Sequence, residues 1–159
     1  MSEAVLERPG VALHPILEER RRQAQQEALG YAGGISPAEA WAMVQTGAAR
    51  LVDVRSSEEL VFVGRVPDAL HVAWATGTSL NRNPRFVKEL EQRIGGKDVP
   101  ALLVCRSGKR SVEAAKAATA AGFTAVFNVL EGFEGEFDDR GQRGNLDGWR
   151  HSGPPWYQD

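Results

Sequence analysis

A chain of 159 residues with 42% hydrophobic and 25% charged side chains has the length of one domain and the composition of an ordinary soluble globular fold. That excludes two domains of ordinary size and disorder as the main state. Its 19 basic and 21 acidic side chains give a net charge of -2, so no broad positive field invites nucleic acid or an anionic membrane, and any anion must be met by a local site. The single cysteine, Cys105, excludes an intramolecular disulfide and any zinc site built on paired thiolates, and it fits a reducing compartment. The opening Met-Ser-Glu-Ala-Val-Leu-Glu-Arg-Pro-Gly carries two acids and no apolar run, unlike a signal peptide, and no later stretch is apolar enough to cross a bilayer. The expected address is the cytoplasm.

Residues 18–29 are good helix formers with almost no apolar face and read as a solvated helix. Gly33 and Gly34 break it, and Ile35 opens a short segment. Ser36-Pro37-Ala38-Glu39 then places serine at an N-cap, proline at the first helical position and glutamate at the third, a capping box. The helix it starts should turn Ala40, Trp41, Met43 and Val44 inward and stop near Gly47. Leu51, Val52 and Val54 mark a short buried strand over residues 49–54. After a loop with Gly64 and Pro67, residues 69–72 read as another strand. Residues 84–94 form an amphipathic helix with Phe86, Leu90 and Ile94 on one face, ended by Gly95 and Gly96.

Ala101-Leu102-Leu103-Val104 is apolar at consecutive positions, as in a central parallel strand covered on both faces. An alanine-rich helix over residues 111–121 and a last strand over 124–130 follow. Strands alternating with helices imply an α/β sandwich: a central parallel sheet flanked by helices on both faces. Beyond Glu131 the pattern loosens, yet Trp149, Trp156 and Tyr157 are costly to expose together, so this tail should wrap the core.

The informative segment is Cys105-Arg106-Ser107-Gly108-Lys109-Arg110-Ser111. It lies where a buried strand gives way to a helix, at the sheet edge where open α/β folds place their ligands. A turn closing onto a helix N-terminus gathers backbone N–H groups into one concavity, and the helix dipole adds positive potential. Arg106, Lys109 and Arg110 add three charges with no acid among them. Such surroundings lower a cysteine pKa from about 8.5 toward roughly 3.5–7.5, so Cys105 is expected to be a nucleophilic thiolate. The plainer alternative is a buried structural cysteine acting as a small hydrophobe, and the cationic loop argues against it.

This loop resembles the catalytic loop of the rhodanese (sulfurtransferase) family. Three further motifs resemble that family in the same order. Asp53-Val54-Arg55 with Glu59 looks like its strand-end Asp-x-Arg and following acid. Gly64-Arg65-Val66-Pro67-Asp68-Ala69-Leu70-His71-Val72 looks like its Gly-His-Ile-Pro-Gly-Ala segment, with Arg65 in place of histidine and Asp68 in place of glycine. Leu130-Glu131-Gly132-Phe133 looks like its Leu-Glu-Gly-Gly turn. The chain departs from the family in an insertion over residues 134–148, before Trp149 and a Gly153-Pro154-Pro155 similar to the family's closing Gly-Leu-Pro.

The resemblance implies a rhodanese-like domain over 35–159, preceded by a helical extension over 1–34. It also implies two-step sulfur transfer: Cys105 takes a sulfane sulfur from a small anionic donor such as thiosulfate and passes it from a persulfide to a thiol or cyanide acceptor. No metal or organic cofactor is called for. Arg106, Ser107, Gly108, Lys109 and Arg110 form the persulfide-binding loop, with Asp53, Arg55 and Glu59 in support. Arg110 closes the loop and should be pinned by an acid, Glu59 before Asp53.

Two other readings compete. A cysteine-dependent phosphatase or arsenate reductase needs an arginine at the sixth position after the cysteine, where this chain has Ser111 and places Arg110 one residue early. A carrier module would take sulfur from a sulfur-relay protein. Asp53 and Arg55 read more simply as a buried ion pair than as catalytic groups, and His14, His71 and His151 are given no catalytic role. Trp74 is a candidate for the pocket wall.

Overall fold

The computed structural model describes residues 13–158. The decapeptide weighed against a signal peptide, and residues 1–12 of the 1–34 extension, lie outside the described residues. The central sheet is built from β1 (Gly33–Ile35), β2 (Arg50–Asp53), β3 (Leu70–His71), β6 (Ala101–Val104) and β7 (Val126–Val129), all parallel, in the order β1-β7-β6-β2-β3. A separate antiparallel hairpin pairs β4 (Ala75–Thr76) with β5 (Asn81–Arg82). The helices are α1 (Pro15–Glu27), α2 (Pro37–Gln45), α3 (Ser57–Phe62), α4 (Phe86–Ile94), α5 (Lys109–Ala120) and α6 (Trp149–Ser152).

Side chains on the two faces of a strand alternate, so a fully apolar central strand needs cover on both sides. Every residue of β6 is buried. Leu103 packs on one face with Phe86, Leu90 and Ile94 of α4 and Ala114, Ala115 and Ala118 of α5. Leu102 and Val104 pack on the other with Leu17 of α1, Ala40 and Met43 of α2 and Trp149 of α6. The small side chains of α5 let its backbone lie close to the sheet, as its alanine content requires.

The structure departs from the sequence reading at two places near the start. The N-terminal helix is anchored rather than wholly solvated, because Leu17 and Ala24 are buried on one side. Gly33 and Gly34, expected only as breakers, are part of β1 and pair with Phe127 and Asn128. A Cβ on Gly33 would lie 2.7 Å from the Arg20 carbonyl oxygen, so glycine is what lets α1 approach this edge strand.

The capping box at Ser36 and Glu39 is formed, with both reciprocal hydrogen bonds present. The tail wraps the core through Trp149, but Trp156 and Tyr157, expected to be covered with it, are 38% and 44% exposed. Trp149 is fully buried against Trp41 and donates its indole N–H to the Pro155 carbonyl, while Tyr157 pairs with Arg65 across an antiparallel bridge.

Candidate active site

The parallel order brings the carboxyl ends of β2, β6 and β7 side by side, and the turns that follow them meet around Cys105. Its Sγ is nearly inaccessible, with the residue 1% exposed, and accepts a hydrogen bond from the Gly108 N–H at 3.1 Å. Gly108 caps α5 at φ +98°, a left-handed conformation in which glycine pays no Cβ penalty. The loop therefore turns straight into the helix, whose positive end faces the sulfur.

The outer side of the loop is held by the turn after β7. Phe133 N–H donates to the Cys105 carbonyl at 2.7 Å, and Glu134 and Gly135 N–H groups donate to the Arg106 carbonyl at 2.9 and 3.2 Å. With the Cys105 and Arg106 carbonyls turned outward, the Gly108 N–H faces the sulfur. Gly132, at φ +69°, lies against the backbone of the cysteine loop. A Cβ there would lie 2.5 Å from the Arg106 carbonyl carbon.

Arg110 is pinned by Glu59, the first of the two acids expected for it. The guanidinium donates to both carboxylate oxygens, at 2.8 and 2.7 Å. Glu59 Oε1 also accepts from the Ser56 N–H at 3.0 Å, in a capping box that starts α3. Burial opposes the charge on Glu59, but the Arg110 and Ser56 hydrogen bonds outweigh it and hold its carboxyl at about 2. The same pairing, against the opposing effect of burial, holds Arg110 above its ordinary value, and the negative potentials of Cys105 and Asp53 add to it.

Asp53 and Arg55 form a buried ion pair, with Arg55 Nη2 2.7 Å from Asp53 Oδ2 and 2.7 Å from the Gly64 carbonyl. The Arg55 guanidinium also stacks 4.1 Å from the Phe133 ring centroid, and His71 Nε2 lies 2.7 Å from the Arg55 carbonyl. These groups tie the β2 and β3 turns to the turn that grips the cysteine loop. None of them touches the sulfur, so their place here is structural.

Arg106 and Lys109 are exposed, and Arg106 shares a cleft with Glu58, Thr78 and Leu80. Trp74 is not in that wall. It is buried in the core against Phe86, with Arg82 stacked 3.6 Å above its ring, because the β4–β5 hairpin turns it away from the edge.

Two contacts escaped the sequence reading. Ser111 Oγ lies 3.2 Å from Cys105 Sγ and 2.5 Å from Asn128 Oδ1, and both Ser111 and Asn128 are buried. The available signal was Asn128 itself, the sole polar residue in the otherwise apolar β7. Among the described residues no three His, Cys, Asp or Glu side chains cluster as metal ligands.

A cysteine at a strand-to-helix turn, with Arg110 at the loop end paired to Glu59, is the arrangement expected from the sequence motifs. The family model for the Rhodanese-like domain matches residues 36–136. The chain belongs to the rhodanese-like family. This rhodanese-like chain is 44% identical to Rv0390 from M. tuberculosis, whose crystal structure superposes with a TM-score of 0.73 over 81% of this chain and 99% of that one. It is 33% identical to the uncharacterized protein RP600 of Rickettsia prowazekii (strain Madrid E), over 67% of this chain and 80% of that protein. It is 28% identical to the thiosulfate sulfurtransferase GlpE of Actinobacillus pleuropneumoniae serotype 3 (strain JL03), over 76% of this chain and 89% of that protein. The family model and the name of the GlpE relative support sulfurtransferase-like activity at the level of the family.

Proposed function

We propose that this rhodanese-like chain is a sulfurtransferase that carries a sulfane sulfur on Cys105, from a small anionic donor such as thiosulfate to a thiol or cyanide acceptor. In the first step Sγ attacks the outer sulfur of thiosulfate. A bond forms between the two sulfurs, the thiosulfate S–S bond breaks, and its electron pair leaves with sulfite. The acceptor then attacks the outer sulfur of the persulfide, and the Cys105 thiolate is the leaving group.

The observation that carries this reading is the Gly108 N–H donating to Sγ inside a loop whose carbonyls are held outward. Preorganised donors stabilise negative charge without having to reorganise during the reaction. Arg106 and Lys109, both exposed, supply the attraction for a dianionic donor, since Arg110 is committed to Glu59. A single free thiol fits a cytoplasmic setting, and no helix among the described residues is long and apolar enough to span a membrane.

The test is intact-protein mass spectrometry after incubation with thiosulfate, beside a sample given a persulfidated cysteine desulfurase. A gain of about 32 Da, one sulfur atom, from thiosulfate and its loss in Cys105→Ser are the expected results. A gain from the protein donor alone would assign the chain to sulfur relay instead. Retained transfer by Cys105→Ser would sink the proposal.

A further inference from the structure

Beneath the cysteine loop, a chain of buried polar atoms runs from Cys105 Sγ through Ser111 Oγ to Asn128 Oδ1, with spacings of 3.2 and 2.5 Å. A hydroxyl has one proton to give, and an amide oxygen only accepts. The short contact with Asn128 therefore takes the Ser111 proton, and an oxygen lone pair is what Ser111 presents to the sulfur. That arrangement suits a thiol, whose S–H donates to Ser111. It does not suit a thiolate, which needs the proton that Asn128 is holding.

We propose that Asn128 is a positioning residue that draws the Ser111 hydroxyl away from Cys105 and so favours the loaded persulfide over the bare thiolate. This deepens the reading of Cys105 as the sulfur carrier and rests on it. When the thiol gives its proton to solvent, the Ser111 hydroxyl swings to Sγ, and Asn128 Oδ1, buried in β7, loses its donor. An unpaired buried acceptor is costly. When Sγ then attacks thiosulfate and sulfite leaves with the S–S electron pair, the charge moves to the outer sulfur. Sγ becomes neutral and divalent, and the hydroxyl returns to Asn128. Thiol and persulfide thus share one hydroxyl orientation, and the thiolate alone opposes it.

The charges around this chain are the same in every variant of the test. Arg106, Lys109 and Arg110 come from the loop and α5, Glu59 from α3, and the Asp53–Arg55 pair from β2 and its turn. His71 of β3 is bound to the Arg55 carbonyl, and Glu131, whose carboxylate accepts from the Gly148 N–H, follows β7 together with Glu134.

Asn128→Leu keeps the branched heavy-atom shape, though with more bulk, and suits the apolar strand while removing the acceptor. Iodoacetamide alkylation of Cys105 is followed against pH, and the persulfide fraction is measured by mass at a fixed ratio of thiosulfate to sulfite. The expected result is an alkylation midpoint lower by about half a pH unit or more. The persulfide-to-thiolate ratio should fall by about the same factor, threefold or more.

In a Ser111→Ala background, Asn128→Leu should change neither quantity. An unchanged or raised midpoint in the single variant, or an equal shift without the Ser111 hydroxyl, overturns the proposal. Thermal melting is recorded for each variant, and Asn128→Ala is read in the same way if the leucine variant does not melt cooperatively. If the unmodified protein takes no sulfur from thiosulfate, the function proposed above fails, while the alkylation profiles still decide the role of Asn128.

Discussion

Arg110 and Glu59, 51 residues apart in the chain, close on each other through two charge-assisted hydrogen bonds of 2.8 and 2.7 Å. Each side chain is 17% exposed, so the pair is shielded from water on most sides. The contact joins the first turn of α5 to the first turn of α3. It therefore fixes the end of the cysteine loop relative to the turn after β2, and a loop fixed at both ends holds its N–H groups in place.

Arg110 should consequently matter more to sulfur transfer than Arg106. Arg110→Ala leaves a buried carboxylate without its partner and frees the loop end, and the expected loss is tenfold or more in turnover with about 2–4 kcal/mol of stability. Arg106→Ala removes an exposed charge and should mainly raise the concentration of thiosulfate needed. Steady-state kinetics and melting on both variants check this division. Near-full activity in Arg110→Ala beside inactivity in Arg106→Ala would reverse it.

The Glu59 carboxyl, held at about 2 in the folded chain, also sets a pH dependence of stability. Its folded value lies below the 4.5 of an unperturbed glutamate, so its contribution is fully present above that value and is lost as pH falls from about 4.5 toward 2. The contribution is on the order of 3 kcal/mol. Chemical denaturation between pH 6 and pH 3 measures it. Glu59→Gln should be less stable at neutral pH and show a shallower decline with acid. A parallel decline in the two proteins would show that the pair contributes nothing.

Gly132 should tolerate no side chain. Its left-handed φ of +69° and the 2.5 Å approach of a Cβ to the Arg106 carbonyl carbon mean that Gly132→Ala must push the turn away from the cysteine loop. The expected cost is about 1–3 kcal/mol for the strained backbone alone. Turnover should fall further than stability, because the N–H donors of Phe133, Glu134 and Gly135 shift together. Wild-type kinetics in this variant would show that the outer clamp does not position the loop.

The cysteine loop was legible in the sequence because one short stretch carries its whole logic: an apolar strand, a cysteine, a glycine at the turn and a helix. The pairing of Arg110 with Glu59 was legible because few acids of the motifs stand at the right sheet edge. The contact of Ser111 with Asn128 was not, since it depends on the alignment of β7 beside β6, where Leu103 pairs with Asn128. Nothing in a linear reading sets that register.

Trp74, a candidate for the pocket wall, packs in the core instead, and the strands beside it, β4 and β5, are two residues each and too short to show a periodicity. The helix α3 was legible only as a helical turn at Glu59, although Ser56 and Glu59 repeat the capping pattern of Ser36 and Glu39. Asp68, which stands where the family has glycine, adopts the left-handed φ of +63° that glycine would take, so that departure leaves the turn intact.

Loop length and the commitment of Arg110 together separate sulfur from phosphate chemistry. A phosphatase of this kind needs an arginine at the sixth position after the cysteine, free to turn inward and grasp two oxygens of a tetrahedral anion. Here the sixth position is Ser111, whose hydroxyl lies against the sulfur, and the arginine one residue earlier is bound outward to Glu59. The unmodified protein should therefore show no turnover of p-nitrophenyl phosphate. Inserting one glycine after Gly108 moves the arginine to the sixth position and widens the loop. Phosphate or arsenate should then bind measurably by calorimetry while sulfur transfer falls. A disordered loop would also lose sulfur transfer, but it would gain no anion binding, and a retained melting temperature with new binding distinguishes the two. Phosphatase activity in the unmodified chain would defeat the argument, because an arginine held by Glu59 at the fifth position has no way to clamp the transferred group.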